Sequence, residues 1–459
     1  MKIISTQSIL LITVAFVTCK TPTWTMGFVG PYYYHPNSHR NRRKRTHPNS
    51  SRIRYSLEEG NESEEQLAKR MELIRQIQKA FYSDEEAVTA PEKGCTVMKQ
   101  VPLWRVQWTE LPGFQNVLNV HVPHYTNMFQ KILNSNSTSK PMYFGHIYLP
   151  GGSDNLDNPE YAMYEGNTNV AMIGTLMQVS DYQQLHDGTL VLIVQGLERF
   201  RISNVIRHHS PYAIADIEIL PDKELAEAHI KDGEKEANGN SNGWIDAVEE
   251  SFRMHPYENL AVGFADCEAI QNTISLSPLS NYDGAFRPTK NPLMSIVGKP
   301  SSDQALKVLE LEQKLWIQLD EMIQLLQQLV ESAESPVKGT MPVPTQILGL
   351  IPRDPPSPWP SSFSLQHYAT KLEIEKLLVG TYSKSPFVRV DDLKGYSPLR
   401  RAQRFSYAVW TLMDTVIALD DNDITKQEVL EMESTKERLE AAIHKMNLIS
   451  NVIRGVLKG

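Results

Sequence analysis

The spacing of apolar and polar residues changes along the chain and divides its body into two parts. In residues 97–221, short apolar runs are separated by Pro, Gly and Asn, which is typical of strands. Ala215, Ile217 and Ile219 alternate with acidic residues, which predicts a strand with one solvated face. Residues 190–194 are continuously apolar, which predicts a strand covered on both faces. Together these patterns predict a small closed or sandwich-like sheet.

A hairpin is predicted in the middle of this region. Asp187 and Gly188 separate two apolar runs at 174–179 and 189–194. An Asp-Gly pair suits a two-residue turn because both central positions need a positive φ. The two runs are therefore expected to pair as antiparallel strands.

The C-terminal third has a helical period. In residues 303–332 the apolar positions recur at intervals of three and four: Val308, Leu311, Leu315, Leu319, Met322, Leu326 and Leu329. The pattern predicts a helix of about 45 Å, with Asp303 as N-cap. Its heptad-like spacing suits either a coiled-coil dimer or packing within the chain's own bundle, and we favour the bundle. Further helices are predicted at 365–378, 399–419 and 426–457.

These patterns give five segments. Residues 1–56 are a targeting segment, and 57–96 hold a short amphipathic helix and a linker. Residues 97–221 form the β domain. Residues 222–302 are interpreted as a flexible insert, because their start is charged and then rich in Gly and Asn, with a short helix possible only near 244–254. Residues 303–459 form an α-helical bundle.

The targeting segment contains two different signals. Lys2 precedes an apolar run at 9–17 that has the length of a signal-peptide core. The residues that follow, to Tyr55, contain no acid and include the basic run 42–45, as in an organelle transit peptide. This order resembles the bipartite presequences of algal plastids. Secretion and a nuclear signal at 42–45 are the alternatives, and no later segment is long and apolar enough to span a membrane.

The charge balance argues against a nucleic-acid partner. The net charge is -8, but nine of the 46 basic residues and none of the 54 acidic residues precede Glu58. The rest of the chain therefore carries 37 basic against 54 acidic residues. Phosphate backbones are bound chiefly through Lys and Arg, so a body this acidic is a poor candidate for general binding to nucleic acid.

No motif for catalysis or metal binding is present. The sequence has no phosphate-binding Gly-x-x-x-x-Gly-Lys-Ser/Thr loop, no Gly-x-Ser-x-Gly elbow and no His-Glu-x-x-His. The close histidine pairs, His121 with His124 and 208 with 209, lack a neighbouring carboxylate or cysteine. Cys95 and Cys267 are either a disulfide or two inert thiols, with the thiols favoured. We therefore expect no metal, no cofactor and no enzymatic activity.

Several motifs, in order, resemble the N-terminal substrate-binding domain of Lon proteases. They are Val-Pro-Leu-Trp at 101–104, Leu-Pro-Gly at 111–113, His-Val-Pro-His-Tyr at 121–125 and the run Val-Gln-Gly-Leu-Glu-Arg-Phe-Arg-Ile at 194–202. Segments at 346–352, 359–363 and 399–407 are similar to stand-alone Lon-domain proteins of plants and algae. The residues that carry the resemblance are Pro102, Leu103, Pro112, Gly113, Pro123, Tyr125, Gly174, Asp187, Gly188, Gly196, Arg199 and Phe200.

The resemblance implies an α+β fold, in which a small β-barrel-like (pseudo-barrel) domain is followed by a helical bundle. It also implies a non-catalytic module that recognises unfolded or exposed segments of other proteins, through an apolar patch between sheet and bundle. One alternative is an adaptor that delivers partners to a protease or a ubiquitin ligase, as the Lon-like domain of cereblon does. A second alternative is an uncharacterised hydrolase. Neither the client nor the peptide-binding residues follow from the sequence.

Most of the motif residues have a structural interpretation. Gly113, Gly174 and Gly196 are expected at turns or close backbone approaches. Phe200 alternates with Arg199 along one strand, so it is expected in the core. Arg199 then lies on the opposite face, either in an ion pair within the chain, which we favour, or against a partner's carboxylate.

Overall fold

The computed structural model describes most of the body of the chain. The described residues are 88, 91, 95–135, 141–156, 158–164, 166–186, 189–208, 212–233, 243–252, 303–332, 345–352, 355–366, 396–416 and 424–458, and all belong to one compact unit. The targeting segment, the predicted helix before residue 82, the Asp187–Gly188 turn, Cys267 and nearly all of the predicted helix at 365–378 lie outside them.

Six strands form one sheet that closes on itself. The strands are β1 (Val97–Val106), β2 (Gln115–Val120), β3 (Met142–Tyr148), β4 (Ile173–Gln184), β5 (Leu190–Arg207) and β6 (Ala213–Ile219). Their order is β2-β5-β4-β3-β1-β6, and β6 pairs again with β5. Because β5 has 18 residues, its first half pairs with β2 and its second half with β6. The result is a ring of five strands with β2 added at its rim, which confirms the α+β, barrel-like class.

The alternation seen in the sequence places the core of the ring. Ala215, Ile217 and Ile219 are buried with Phe200 and Leu103, whereas the acidic residues between them are partly exposed. Residues 190–194 are buried except for a partly exposed Val191, as predicted for a covered strand. Strands β4 and β5 pair as an antiparallel hairpin, as the flanking apolar runs predicted.

The described helices pack against different strands of the sheet and against one another. They are α1 (Pro123–Ser135), α2 (Lys223–Gly233), α3 (Gly243–Ser251), α4 (Asp303–Ser332), α5 (Thr345–Leu348), α6 (Pro398–Val416), α7 (Lys426–Glu431) and α8 (Thr435–Lys458). None of these helices is long and apolar enough to cross a membrane. The heptad-like face of α4 packs on α8 and α6 of the same chain, with Trp316 stacked on Phe405 at 3.8 Å. Bundle packing therefore accounts for the periodicity of α4.

Two predictions for this region are wrong. The insert expected from residue 222 begins with the helix α2, because Leu225 is buried in the core of the bundle. The single helix expected at 426–457 is two helices that separate between Glu431 and Thr435. The insert residues 234–242 and 253–302 lie outside the described part of the chain.

Candidate functional site

A bulge brings two motif glycines together where the sheet meets the helices. Gly113 has a φ of +91° and donates its N–H to the Gly196 carbonyl at 2.8 Å, while the Gly196 N–H donates to Phe114 at 2.9 Å. This is the bonding pattern of a G1 bulge. A Cβ on Gly196 would lie 2.9 Å from the Leu111 carbonyl, and one on Gly113 would lie 2.7 Å from Arg404 Cδ. Both glycines therefore occupy close approaches, as expected.

A buried charge cluster, which we call the ionic junction, follows this bulge along β5. Glu198 contacts Arg400 of α6 as an ion pair and also accepts from Ser251 Oγ at 3.1 Å and Gln403 Nε2 at 3.2 Å. Burial alone would raise the pKa of Glu198, but the charges of Arg400, Arg404 and Arg199 hold it below its usual value. Glu198 is therefore ionised at neutral pH.

The second half of the junction joins β5 to α2 and α8. Asp222 forms ion pairs with Arg199, at 3.2 Å, and with Arg438, and Thr435 donates its hydroxyl to it at 2.5 Å. Burial and the nearby charge of Arg199 lower the pKa of Arg438. The charge of Glu198 opposes this shift.

The junction is therefore a structural device. Its ion pairs link β5, α2, α6 and α8, and its charged side chains are almost completely buried. Arg199 makes the intramolecular pair that we favoured, whereas Arg201 is exposed. Buried groups such as these hold the sheet against the helices and cannot meet another polypeptide.

Exposed apolar side chains lie in the loop after β1, on β2 and just before α7. Trp108 is 41% exposed, Val117 of β2 is 38% exposed and Ile424, just before α7, is 38% exposed. Glu110 connects two of these places, because its carboxylate accepts from Trp108 Nε1 at 2.9 Å and from Asn116 Nδ2 at 2.5 Å. We call Trp108, Glu110, Asn116, Val117 and Ile424 the Trp108 surface.

Bonds from the loop after β1 fix the position of α7 beside the Trp108 surface. Thr109 donates its hydroxyl to Gln427 Oε1 at 3.1 Å, and Gln427 Nε2 donates to the Ile173 carbonyl at 3.1 Å. Desolvation raises the pKa of Glu110, and the nearby charge of Lys426 together with its two hydrogen bonds opposes this shift. The surface thus combines apolar side chains with one poorly solvated carboxylate.

Strand β2 offers an edge next to Trp108. It pairs with β5 through one edge, and no strand in the described part of the chain pairs with the other. The Phe114 carbonyl accepts a hydrogen bond from Gly196 of β5, and the direction of the backbone groups alternates along β2. The N–H and C=O groups of Asn116 and Leu118 therefore point toward β5, whereas those of Val117 and Asn119 point outward. Val117 and Asn119 are also exposed. An extended segment can therefore reach backbone donors and acceptors here.

Trp108 is anchored to a cluster of buried rings. It meets Trp104 edge-on at 5.4 Å, and His146 lies 6.0 Å from it. Burial lowers the pKa of His146 to about 3, so this ring is neutral at physiological pH. A tryptophan held in this way loses little conformational freedom on binding, as in preorganised interfaces.

The other family-motif residues lie in structural positions. Pro102, Leu103, Pro112, Gly174 and Phe200 are buried. Pro123 starts α1, and the hydroxyl of Tyr125 donates to the Arg105 carbonyl at 2.5 Å. Asp187 and Gly188 lie outside the described residues. Within the part of the chain that is described, no three His, Cys, Asp or Glu residues are grouped to hold a metal ion.

Sequence reasoning missed the Trp108 surface. Its members come from a loop, from β2 and from the segment before α7, and none belongs to a motif that we quoted. A weak signal was available, because Trp108 stands in a polar context directly after the strand that carries Pro102 and Leu103. A large aromatic residue at that place is either buried or exposed for contact.

One family model and two solved structures are similar to parts of this chain. Residues 109–328 match the family model of the ATP-dependent protease La (LON) substrate-binding domain. The crystal structure of a Lon N-terminal domain protein from Xanthomonas campestris is 19% identical, with a TM-score of 0.20, over 34% of this chain and 82% of that one. The N-terminal domain of the Mycobacterium avium complex Lon protease is 15% identical, with a TM-score of 0.18, over 33% and 78%. The comparison with curated proteins gave no match.

Proposed function

We propose that this chain, whose residues 109–328 belong to the Lon substrate-binding domain family, binds polypeptide substrates through that domain. The observation that carries the proposal is an exposed, anchored Trp108 beside an open edge of β2. Soluble proteins use exposed apolar groups rimmed by polar residues to contact other proteins. An unfolded segment presents apolar side chains together with unpaired backbone groups, and this surface accepts both.

The expected binding mode is addition of a strand. A segment that bonds to the outward groups of Val117 and Asn119 would extend the sheet by one strand. Its side chains would alternate between the two faces of the sheet, so every second one would lie beside Val117. We therefore expect a preference for extended segments that carry large apolar residues two positions apart.

Binding to an unfolded protein tests this proposal directly. A fluorescein-labelled, reduced and carboxymethylated α-lactalbumin cannot fold, and its binding to the full chain can be followed by fluorescence anisotropy. We expect tight competition by the unlabelled unfolded form and little by the native form. Trp108→Ala should weaken binding about tenfold or more, since a buried tryptophan at an interface contributes roughly 2 kcal/mol.

The matched control is Tyr164→Ala. Tyr164 is an aromatic residue that is 56% exposed and lies outside the Trp108 surface, so its loss should leave the affinity unchanged. Equal affinity for native and unfolded competitors would contradict substrate recognition. An undiminished affinity of Trp108→Ala would contradict the proposed surface and leave the general role standing.

We also propose that the role is non-catalytic. The matched family is the substrate-binding part of Lon, and the sequence contains no phosphate-binding loop of the motor type. Incubation of the pure chain with the unfolded protein, with and without ATP, should yield no fragments. Any cleavage of the bound polypeptide would then be done by a separate protease, which should be recovered together with the chain.

We propose delivery to a plastid from the targeting segment, residues 1–56, alone. The order of the apolar run at 9–17 and the acid-free stretch to Tyr55 supports it. A fluorescent protein fused to residues 1–56 should enter the plastid of a complex-plastid alga. Secretion of the fusion would support the alternative, that the chain enters the secretory pathway.

A further inference from the structure

The ionic junction contains one arginine more than its ion pairs account for. Arg199, Arg400 and Arg438 each lie against a carboxylate, either Glu198 or Asp222. Arg404 is only 2% exposed, and no carboxylate in the described part of the chain lies within ion-pair distance of it. Its charge acts on Glu198 from beyond ion-pair distance, and a buried guanidinium without a carboxylate in direct contact is costly.

Hydrogen-bond donors without acceptors gather around Arg404. Within the described residues, Nε and Nη1 of Arg404, Nε and Nη1 of Arg199 and the hydroxyl of Tyr407 have no hydrogen-bond partner. All three side chains are at least nine-tenths buried. Polar groups in a protein interior are nearly always satisfied, so a cluster of this kind needs an explanation.

The three side chains occupy one region of the junction. Tyr407 follows Arg404 by one turn of α6, and Arg438 stacks over the Tyr407 ring at 4.1 Å. Arg438 and Arg199 share Asp222. The charges of Arg199 and Arg404 act on the Tyr407 hydroxyl, although burial dominates and raises its pKa. The unpartnered donors of Arg199, Arg404 and Tyr407 thus belong to neighbouring side chains in one part of the junction.

We propose that a small inorganic anion binds between Arg199, Arg404 and Tyr407 and completes the ionic junction. A water molecule would satisfy some of the donors and leave Arg404 without a counter-charge in direct contact, whereas an anion would supply both. The enclosing side chains are buried, so a halide or a small oxyanion fits and the carboxylate of a polypeptide does not. The anion ties the loop at Gly113, β5 and α6 together.

Thermal melting of the full chain in different sodium salts tests the proposal. Chloride and phosphate are titrated against gluconate, which is too large to enter, at constant ionic strength. We expect Tm to rise saturably by roughly 2 °C at about ten times the dissociation constant, with chloride or phosphate but not gluconate. The more effective of the two salts identifies the anion as a halide or an oxyanion. An identical Tm in all three salts would overturn the proposal.

Variants locate the site. Arg404→Met should abolish the salt response, because the anion loses its charged partner. Tyr407→Phe should weaken the response. Arg454→Met, which changes a partly exposed arginine at the other end of α8, should keep the full response. A full response in Arg404→Met would contradict the assignment.

A direct measurement does not depend on any variant. Crystals of the wild-type chain soaked in sodium bromide should show an anomalous peak between Arg199, Arg404 and Tyr407 if the anion is a halide. Where phosphate is the effective salt, an arsenate soak replaces bromide. Peaks confined to surface side chains would show an adventitious ion only and would refute the site.

Discussion

Breaking the central ion pair of the junction should cost more stability than removing both partners. Arg400 donates to Glu198, to the Ala247 carbonyl at 2.7 Å and to Gln403 Oε1 at 2.8 Å. In Arg400→Met, Glu198 stays buried without its main counter-charge. Loss of one partner of a buried pair costs about 3–5 kcal/mol. Glu198→Met should cost a similar amount, because buried Arg400 then keeps only the longer contact with Glu250, at 3.7 Å.

The double variant Arg400→Met with Glu198→Met should cost less than half the sum of the two single changes. Replacement of a whole buried pair by apolar residues of similar volume is often close to neutral. Urea unfolding of the full chain at pH 7, followed by tryptophan fluorescence, gives the free energies. Arg454→Met, which breaks the partly exposed pair with Glu321, is the control and should cost less than about 1 kcal/mol. Additive costs in the double variant would refute the coupling.

Two further predictions concern the packing of the sheet. Gly174→Ala should destabilise the chain by about 3 kcal/mol, because its new Cβ would collide with the His146 carbonyl. The new Cβ of Gly455→Ala in α8 meets nothing within 4 Å, so this variant should be more stable by about 0.5–1 kcal/mol. Equal Tm values for the two variants would contradict this packing. Burial lowers the pKa of His146 to about 3, below the unfolded value near 6.5, so below about pH 6.5 the unfolded state binds a proton that the folded state does not. The free energy of unfolding should therefore fall by up to about 1.4 kcal/mol per pH unit between roughly pH 6 and 4, and His146→Gln should flatten this slope in urea unfolding series.

The sequence patterns predicted those strands and helices whose buried residues recur at a regular spacing. The strand at 213–219 and the helix Asp303–Ser332 follow from periods of two and of three to four, because each buries one face against a single layer. The Lon resemblance gave the pairing of these strands into a ring, which periodicity alone left open as a closed or sandwich-like sheet. The glycines at 113 and 196 were expected at close approaches, and the G1 bulge explains why.

The parts that sequence reasoning missed depend on contacts between distant residues. Helix α2 was taken for a flexible insert because Asp222 and Glu224 appear as solvated charges in a polar stretch. In the structure Asp222 pairs with Arg199 and Arg438, and Glu224 accepts from Ser434 and from the N–H of Thr435 at the start of α8. Ser434, Thr435 and Arg438 stand more than 200 positions away in the sequence, so no local pattern reveals that the charges are buried.

The Trp108 surface was missed for the same reason. Trp108 and Glu110 come from the loop after β1, Val117 from β2 and Ile424 from the segment before α7. Glu110 links the first two places through Trp108 and Asn116, and Gln427 holds α7 against the loop. Only the closed sheet and the packed bundle bring these three segments together.

Site-specific photo-crosslinking tests the central claim, polypeptide binding at the Trp108 surface, most directly. Benzoylphenylalanine is introduced at Val117 or, as a control, at Tyr164, and each full chain is irradiated with labelled, carboxymethylated α-lactalbumin. Position 117 should form adducts with the unfolded protein that native α-lactalbumin does not form, and position 164 should form few. Equal adduct yields from the two positions, or equal yields with native and unfolded protein, would contradict it.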